Sequence, residues 1–252
     1  MTAAAMTRCA QPDRLAVAMG QHFGLRVEQA GPVTRVFLAA GRFELGQPPR
    51  ERVSLDVRRK MPRAARRTEH PLERAALEWI ASYWNADHLV RTRDWVVELD
   101  PDAGLPLRLA GLTHDIERNF PGGPTPDLSD PHYERVHAER SARIVREWLA
   151  SQDAADELVA AVGRLVAAHE AGGWREADLL QAADSLAFLE VNATRPAAWV
   201  RDGRCTPADA RARLRHMHER IAVRHAGAPA DTLLEDAERR LEEALAGLAE
   251  SR

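Results

Sequence analysis

Apolar positions recur along this chain in two different rhythms. In the first 60 residues or so they form short β-branched or aromatic runs, Leu25–Glu28, Val33–Ala39 and Val53–Val57. Gly31-Pro32 and Gly46-Gln47-Pro48-Pro49 separate these runs, which therefore predict a few short strands. A short helix is expected from about Arg14 to Gly24, after a patternless stretch over residues 1–13. The basic stretch Arg58–Arg67, with Pro62 inside it, reads as a solvated linker. After His70-Pro71 the period becomes helical and stays so to the end. Residues 72–98 carry Leu72, Ala76, Trp79, Ile80, Tyr83 and Trp84 on one stripe, and Pro106 opens a short apolar helix from Leu107 to about Ile116. Asn119–Pro131, with Gly122-Gly123 and several prolines, cannot be regular helix and has the length of a lid or binding edge. Helices are expected over about 132–150, 154–170, 176–192, 207–225 and 230–250. The chain thus divides into a small N-terminal region, 1–67, and a mainly α helical domain, 68–252.

Within the helical pattern, several polar residues stand where apolar ones are due. Ile80, Trp84, His88 and Trp95 share a face, and Leu107 and Ala110 turn His114 inward with Asp115 beside it. His137 belongs with Ser141, Ile144, Val145 and Trp148; His169 with Leu158, Val162, Leu165 and Val166. Asp184 belongs with Leu180, Ala187, Phe188 and Val191. Burying an unpaired carboxylate costs several kcal/mol. Five helices that aim an imidazole or a carboxylate at one interior therefore call for a compensating partner. A divalent metal ion fills that role, since neutral imidazole nitrogens and carboxylate oxygens are its usual ligands.

Composition narrows the classes of partner. A net charge of -3 gives no electrostatic footprint for a nucleic-acid polymer or an anionic membrane. Lys60 is the only lysine, so the positive charge is nearly all arginine. Cys9 and Cys205 are too few for a disulfide framework or a cysteine zinc site. No long apolar run predicts a membrane span, and the N-terminus lacks the basic start and apolar core of a signal peptide. A cytoplasmic protein is the expectation.

The order His88, His114-Asp115, His137, His169, Asp184 resembles the HD-domain superfamily, whose pattern is H…HD…D, over roughly residues 72–192. Leu109–Ile116 looks like the apolar helix that carries the HD pair. His169-Glu170-Ala171-Gly172-Gly173, followed by Ala177–Asp184, is similar to the family's later segment. The resemblance implies an HD-type helical bundle with one or two divalent ions, whether Mn, Fe, Co, Ni, Mg or Zn. It implies His88, His114, Asp115 and Asp184 as ligands of the first ion. His137 and His169 match the extra histidines of the binuclear branches, in which Asp115 would bridge the ions. The activity implied is hydrolysis of a small phosphorylated molecule, a phosphomonoester or phosphodiester such as a nucleotide, by metal-activated water. Arg118 matches a lysine position of the HD-GYP-type branch, and Arg140 lies three residues past His137; both are expected to hold phosphate.

The Gly-Tyr-Pro triplet of cyclic-dinucleotide phosphodiesterases is absent, because Trp174-Arg175 follows Gly172-Gly173. Glu117 lies two residues beyond Asp115, whereas the HDxxE pattern of some nucleotidases needs three. A diiron oxygenase and a non-catalytic ligand sensor are the alternative readings on the same scaffold. His216 and His218, two apart, fall on different helix faces and are not expected as ligands. The last two helices either complete the bundle or form a dimer surface.

Overall fold

In the computed structural model of the protein, the described residues are 26–30, 33–38, 41–45, 70–124 and 131–250. The chain divides into two compact units, Met1–Leu55 and Asp56–Arg252.

In the first unit, β1 (Arg26–Ala30), β2 (Val33–Leu38) and β3 (Gly41–Leu45) form an antiparallel sheet in the order β1-β2-β3. Val27 pairs with Val36, and Val36 with Phe43. The first two strands fall where the apolar runs place them. The third is Gly41–Leu45, whose alternation of Arg42, Phe43, Glu44 and Leu45 is itself a period-2 signal. The strand expected at Val53–Val57, the helix at 14–24 and the linker at 58–67 lie outside the described residues.

The second unit is helical. Its elements are α1 (Pro71–Ile80), α2 (Ala86–Leu99), α3 (Leu105–Thr113), a 3-10 turn (Ile116–Asn119), α4 (Pro131–Ser151), α5 (Asp156–Ala168) and α6 (Arg175–Val191). These are followed by α7 (Arg195–Arg201), α8 (Pro207–Glu219), a second 3-10 turn (Arg224–Ala226) and α9 (Gly227–Glu250). Local chemistry sets several of the starts. His70 caps α1 by accepting from the Leu72 N–H at 3.2 Å, with Pro71 at the first helical position. Thr206 and Asp209 form a capping box on α8. At Gly172 the backbone turns with φ of +67°, a conformation open to glycine, and the next N–H is caught by Asp178 at 2.7 Å; this reverses the chain between α5 and α6.

The stretch 72–98 is not one helix. It breaks over Ala81–Asn85, because Asn85 donates to the Asp115 carbonyl at 3.1 Å and accepts from Asn119 at 2.8 Å. The break pins the start of α2 to the segment that follows α3. The short helix α7 lies below the length that a periodic pattern resolves. The expected 207–225 helix ends at Glu219, and its last part is the separate 3-10 turn.

One apolar core lies among α1 to α6, joined by Ala226 of the second 3-10 turn and Ala230 of α9, and is built on Ile80, Leu89, Leu109, Leu112, Val166 and Leu180. A second joins the end of α6 to α7, α8 and α9 through Leu189, Leu214, Met217 and Leu241. Helix α6 belongs to both, so all but Glu190 of its stretch Leu179–Glu190 is buried, Asp184 included. Gly111 lets α3 approach α2 closely: a Cβ there would stand 3.0 Å from the Arg93 Cα.

Where α1, α2 and α3 meet, Glu73 is buried between Arg93 and Arg108, at 3.1 Å from each. Asp94 is buried beside them; Oδ1 lies 3.3 Å from Arg93, while Oδ2 meets no donor. Burial raises the Asp94 carboxyl from 3.8 to about 6, with Arg93 and Arg91 opposing. A carboxyl whose pKa is higher folded than unfolded favours the fold only while protonated. Its penalty is absent below the unfolded value of 3.8 and complete above about pH 6. Asp94→Asn is therefore expected to raise stability at pH 7 by about 1–3 kcal/mol. The gain should close as the pH falls toward 4, as read from urea unfolding at several pH values.

Candidate metal centre

His114 and Asp115 leave α3 at its C-terminal end, where the last carbonyls of a helix lack intrahelical donors. His114 is the C-cap of α3, and its Nδ1 lies 3.2 Å from the Gly111 carbonyl. His169 is the C-cap of α5, with Nδ1 2.8 Å from the Val166 carbonyl. The same device operates twice. An Nδ1–H given to a helix-end carbonyl leaves the lone pair on Nε2, the tautomer a metal ligand needs. Both Nε2 atoms are buried and have no hydrogen-bond partner. Two fully buried imidazoles with inward, unsatisfied acceptors fit a cation as the missing partner.

The remaining residues assemble into two groups, in each of which the ligand atoms lie within 4.8 Å of one another: His88, His114 and Asp184, and Asp115, His137 and His169. In the first, Asp184 Oδ1 lies 3.0 Å from His88 Nε2 and 3.3 Å from His114 Nε2. In the second, Asp115 Oδ1 lies 2.8 Å from His137 Nε2 and 3.9 Å from His169 Nε2. The four rings run in series, with centroids 5.3 Å apart from His88 to His114, 5.0 Å from His114 to His169 and 5.3 Å from His169 to His137. All six expected ligand residues thus converge. Asp115, expected among the first ion's ligands, groups with His137 and His169, and its other oxygen, Oδ2, accepts from Arg118 at 2.7 Å.

Four further residues tie this cluster together. Glu117, buried, takes His137 Nδ1 at 2.8 Å, so it orients that ring from behind. Glu170 places Oε1 3.5 Å from His169 Nε2 and 3.8 Å from His137 Nε2. Arg220, from the end of α8, spans Glu170 Oε2 and Asp184 Oδ2 at 2.5 Å each and donates to Ser185 Oγ at 2.8 Å. Tyr133 accepts from Arg118 at 2.5 Å. Glu170 had a visible signal, since it directly follows His169. Arg220 had none, because its carboxylate partners lie 50 and 36 residues away.

The two expected phosphate-holding arginines part company. Arg118 lines the cavity over the cluster, but its Nε is committed to Asp115 and one terminal nitrogen to Tyr133. Arg140 is not among the cavity-lining residues. It donates to the Pro121 carbonyl at 2.5 Å and approaches Glu117 at 3.9 Å, holding the start of the 120–124 loop. His216 and His218 lie outside both groups, and His218 pairs with Asp231 at 2.7 Å.

The charges of the cluster are strongly coupled. Burial alone would raise the carboxyls of Asp115, Glu170 and Asp184. Arg118 with His137 holds Asp115 well below the ordinary carboxylate value instead, and Arg220, with the neighbouring histidines, does the same for Glu170 and Asp184. Burial and Arg118 disfavour a proton on His137, yet Asp115 and Glu117 outweigh them and lift it to about 9. Around these rings the carboxylates of Asp115, Glu117, Glu170 and Asp184 outnumber the guanidinium groups of Arg118 and Arg220. A divalent cation would take the place of the proton on His137.

A cavity of about 540 Å3 is lined in part by His88, Asp115, Arg118, Glu170 and Asp184. Phe188, Arg195 and Trp199 are also among the residues that line it. Fold and site together define a helical protein with buried His/Asp groups able to hold metal, compatible with an HD-type site. No protein-family model matches the chain, and neither a curated protein nor a solved structure is detectably similar to it. Among the described residues, no helix is long and apolar enough to cross a membrane.

Proposed function

We propose that the protein is a metal-dependent phosphohydrolase that cleaves a small phosphomonoester or phosphodiester. The observation that carries this reading is the pair of adjoining His/Asp groups with orphaned imidazole nitrogens, opening on a cavity of small-molecule size. His88, His114 and Asp184 would hold one divalent ion, and Asp115, His137 and His169 a second. Such ions supply Lewis acidity, which makes water nucleophilic near neutral pH and offsets charge on phosphoryl oxygens.

The protein's own groups set the geometry. Arg118 and Arg220 each take the outer oxygen of a ligand carboxylate, which turns Oδ1 of Asp115 and Asp184 toward the histidines. The helix-end carbonyls of α3 and α5 and the Glu117 carboxylate fix the tautomers of three imidazoles. Arg118 also carries positive charge to the cavity surface beside Asp115, where a phosphoryl group would lie.

Purified protein loaded separately with manganese, magnesium, cobalt, nickel, zinc or iron should release phosphate from a phosphomonoester panel or open a phosphodiester panel with at least one metal. Iron-dependent oxygen uptake without any phosphoester turnover would replace this reading with the oxygenase one.

A further inference from the structure

Besides the residues of the metal groups, the cavity is lined by arginines set against aromatic rings. Arg195, at the start of α7, lays its guanidinium 3.9 Å over the Trp84 ring. Trp84 is 53% exposed and tethered by its Nε1–H to the Arg118 carbonyl at 3.4 Å. Arg204 stands over Trp199 at 5.8 Å, and both line the same cavity. Among the described residues, neither Arg195 nor Arg204 has a carboxylate within ion-pair distance, whereas Arg118 and Arg220 each do. Stacking uses only the face of a guanidinium. Its N–H donors lie in the plane at the edge, so Arg195 keeps a fork able to take an anion in bidentate fashion. Half-burial and the like charges of Arg118 and Arg204 depress its proton affinity, with Asp115 opposing in part.

The cavity lining thus combines the carboxylates of the metal groups with a guanidinium rim, Arg195 and Arg204 beside Trp84 and Trp199, while Asp202, also in the lining, is paired with Arg201. One phosphate at the metal groups leaves the rim unanswered. We infer that the rim is a second anion subsite, where Arg195, stacked on Trp84, binds a non-scissile phosphate of a substrate whose scissile phosphate sits against His88, Asp115 and Asp184. The substrate class is a small molecule bearing two separated phosphates. The word scissile rests on the phosphohydrolase reading; the two-anion binding does not.

The test is calorimetric titration of the metal-loaded full-length protein with methylphosphonate and with a series of α,ω-alkylene bisphosphonates, methylene to hexylene. These probes cannot be hydrolysed, so binding is read independently of turnover. At least one bisphosphonate should bind about tenfold or more tightly than methylphosphonate. Arg195→Gln should bring that member down to the methylphosphonate level, and Arg195→Lys should fall between, because lysine keeps the charge but not the planar fork. Circular dichroism establishes that both variants are folded. A bisphosphonate series no tighter than methylphosphonate, failure of every probe to bind, or a gain that survives Arg195→Gln would overturn the subsite. An Arg195-dependent gain in a protein that turns over no phosphoester keeps the subsite and removes the hydrolase reading. Turnover with no such gain does the reverse.

Discussion

Replacement of Arg220 by methionine should destabilise the metal-free protein by about 3–5 kcal/mol, the range for removing one partner of a buried ion pair. The side chain is 7% exposed and meets two carboxylates that are themselves 8% exposed, so water cannot take over its role. Methionine fills much of the volume but leaves Glu170 and Asp184 facing each other without a cation. The pH dependence follows from the same pair. Both carboxyls are held well below their ordinary values in the folded protein, mainly by Arg220 working against burial. A depressed folded pKa adds stability that is complete above the unfolded value and drains away as the pH falls through the folded one. In Arg220→Met that contribution is gone at neutral pH. The gap between wild type and variant should therefore be widest near pH 7 and narrow below pH 4, as measured by urea unfolding. A divalent ion added to the variant should recover part of the loss, because a second cation can satisfy Asp184. A variant as stable as wild type at pH 7 would show that the clamp is dispensable.

The second large effect concerns Asp115. Its Oδ1 faces His137 and His169, and its Oδ2 holds Arg118, so one side chain joins the second ligand group to the arginine at the cavity surface. Asp115→Ala removes a candidate metal ligand and the carboxylate that holds Arg118 Nε. Phosphoester turnover should fall by about 10²–10³-fold or more, the scale of losing one electrostatic contact to a developing oxyanion. The fold should persist, because Asp115 belongs to no apolar core and Arg118 keeps Tyr133 as an acceptor. Circular dichroism beside a steady-state assay separates these outcomes. An unfolded variant, or one with wild-type turnover, would each contradict the assignment.

Much of this site was legible because metal-type residues interrupt strong apolar stripes. The phase of Ile80 and Trp84 reaches His88 only across a helix break, and Trp84 is half exposed. The phase still held, because His88 and Trp95 lie two turns apart within α2. Asp184 was visible because every residue around it in α6 is buried. What periodicity could not reach was the layer behind the ligands. Glu117 lies in a 3-10 turn and Glu170 just past a helix end, where no regular face exists to be read. Arg220 and Arg195 owe their roles to contacts with distant helices, and no local rule connects them to the cluster. Arg140 shows the converse: spacing along α4 set it beside His137, but its side chain turns to the loop carbonyls instead of the cavity. In the strand unit, the Arg42–Leu45 alternation is too short to stand out as a strand from sequence alone.

The central claim is that the two His/Asp groups are metal sites, and counting metal tests it most directly. Elemental analysis of purified protein, after metal is supplied and excess removed, should find two ions per chain in wild type and fewer in Asp115→Ala. Absence of metal from wild type under those conditions, or an unchanged count in the variant, would contradict it.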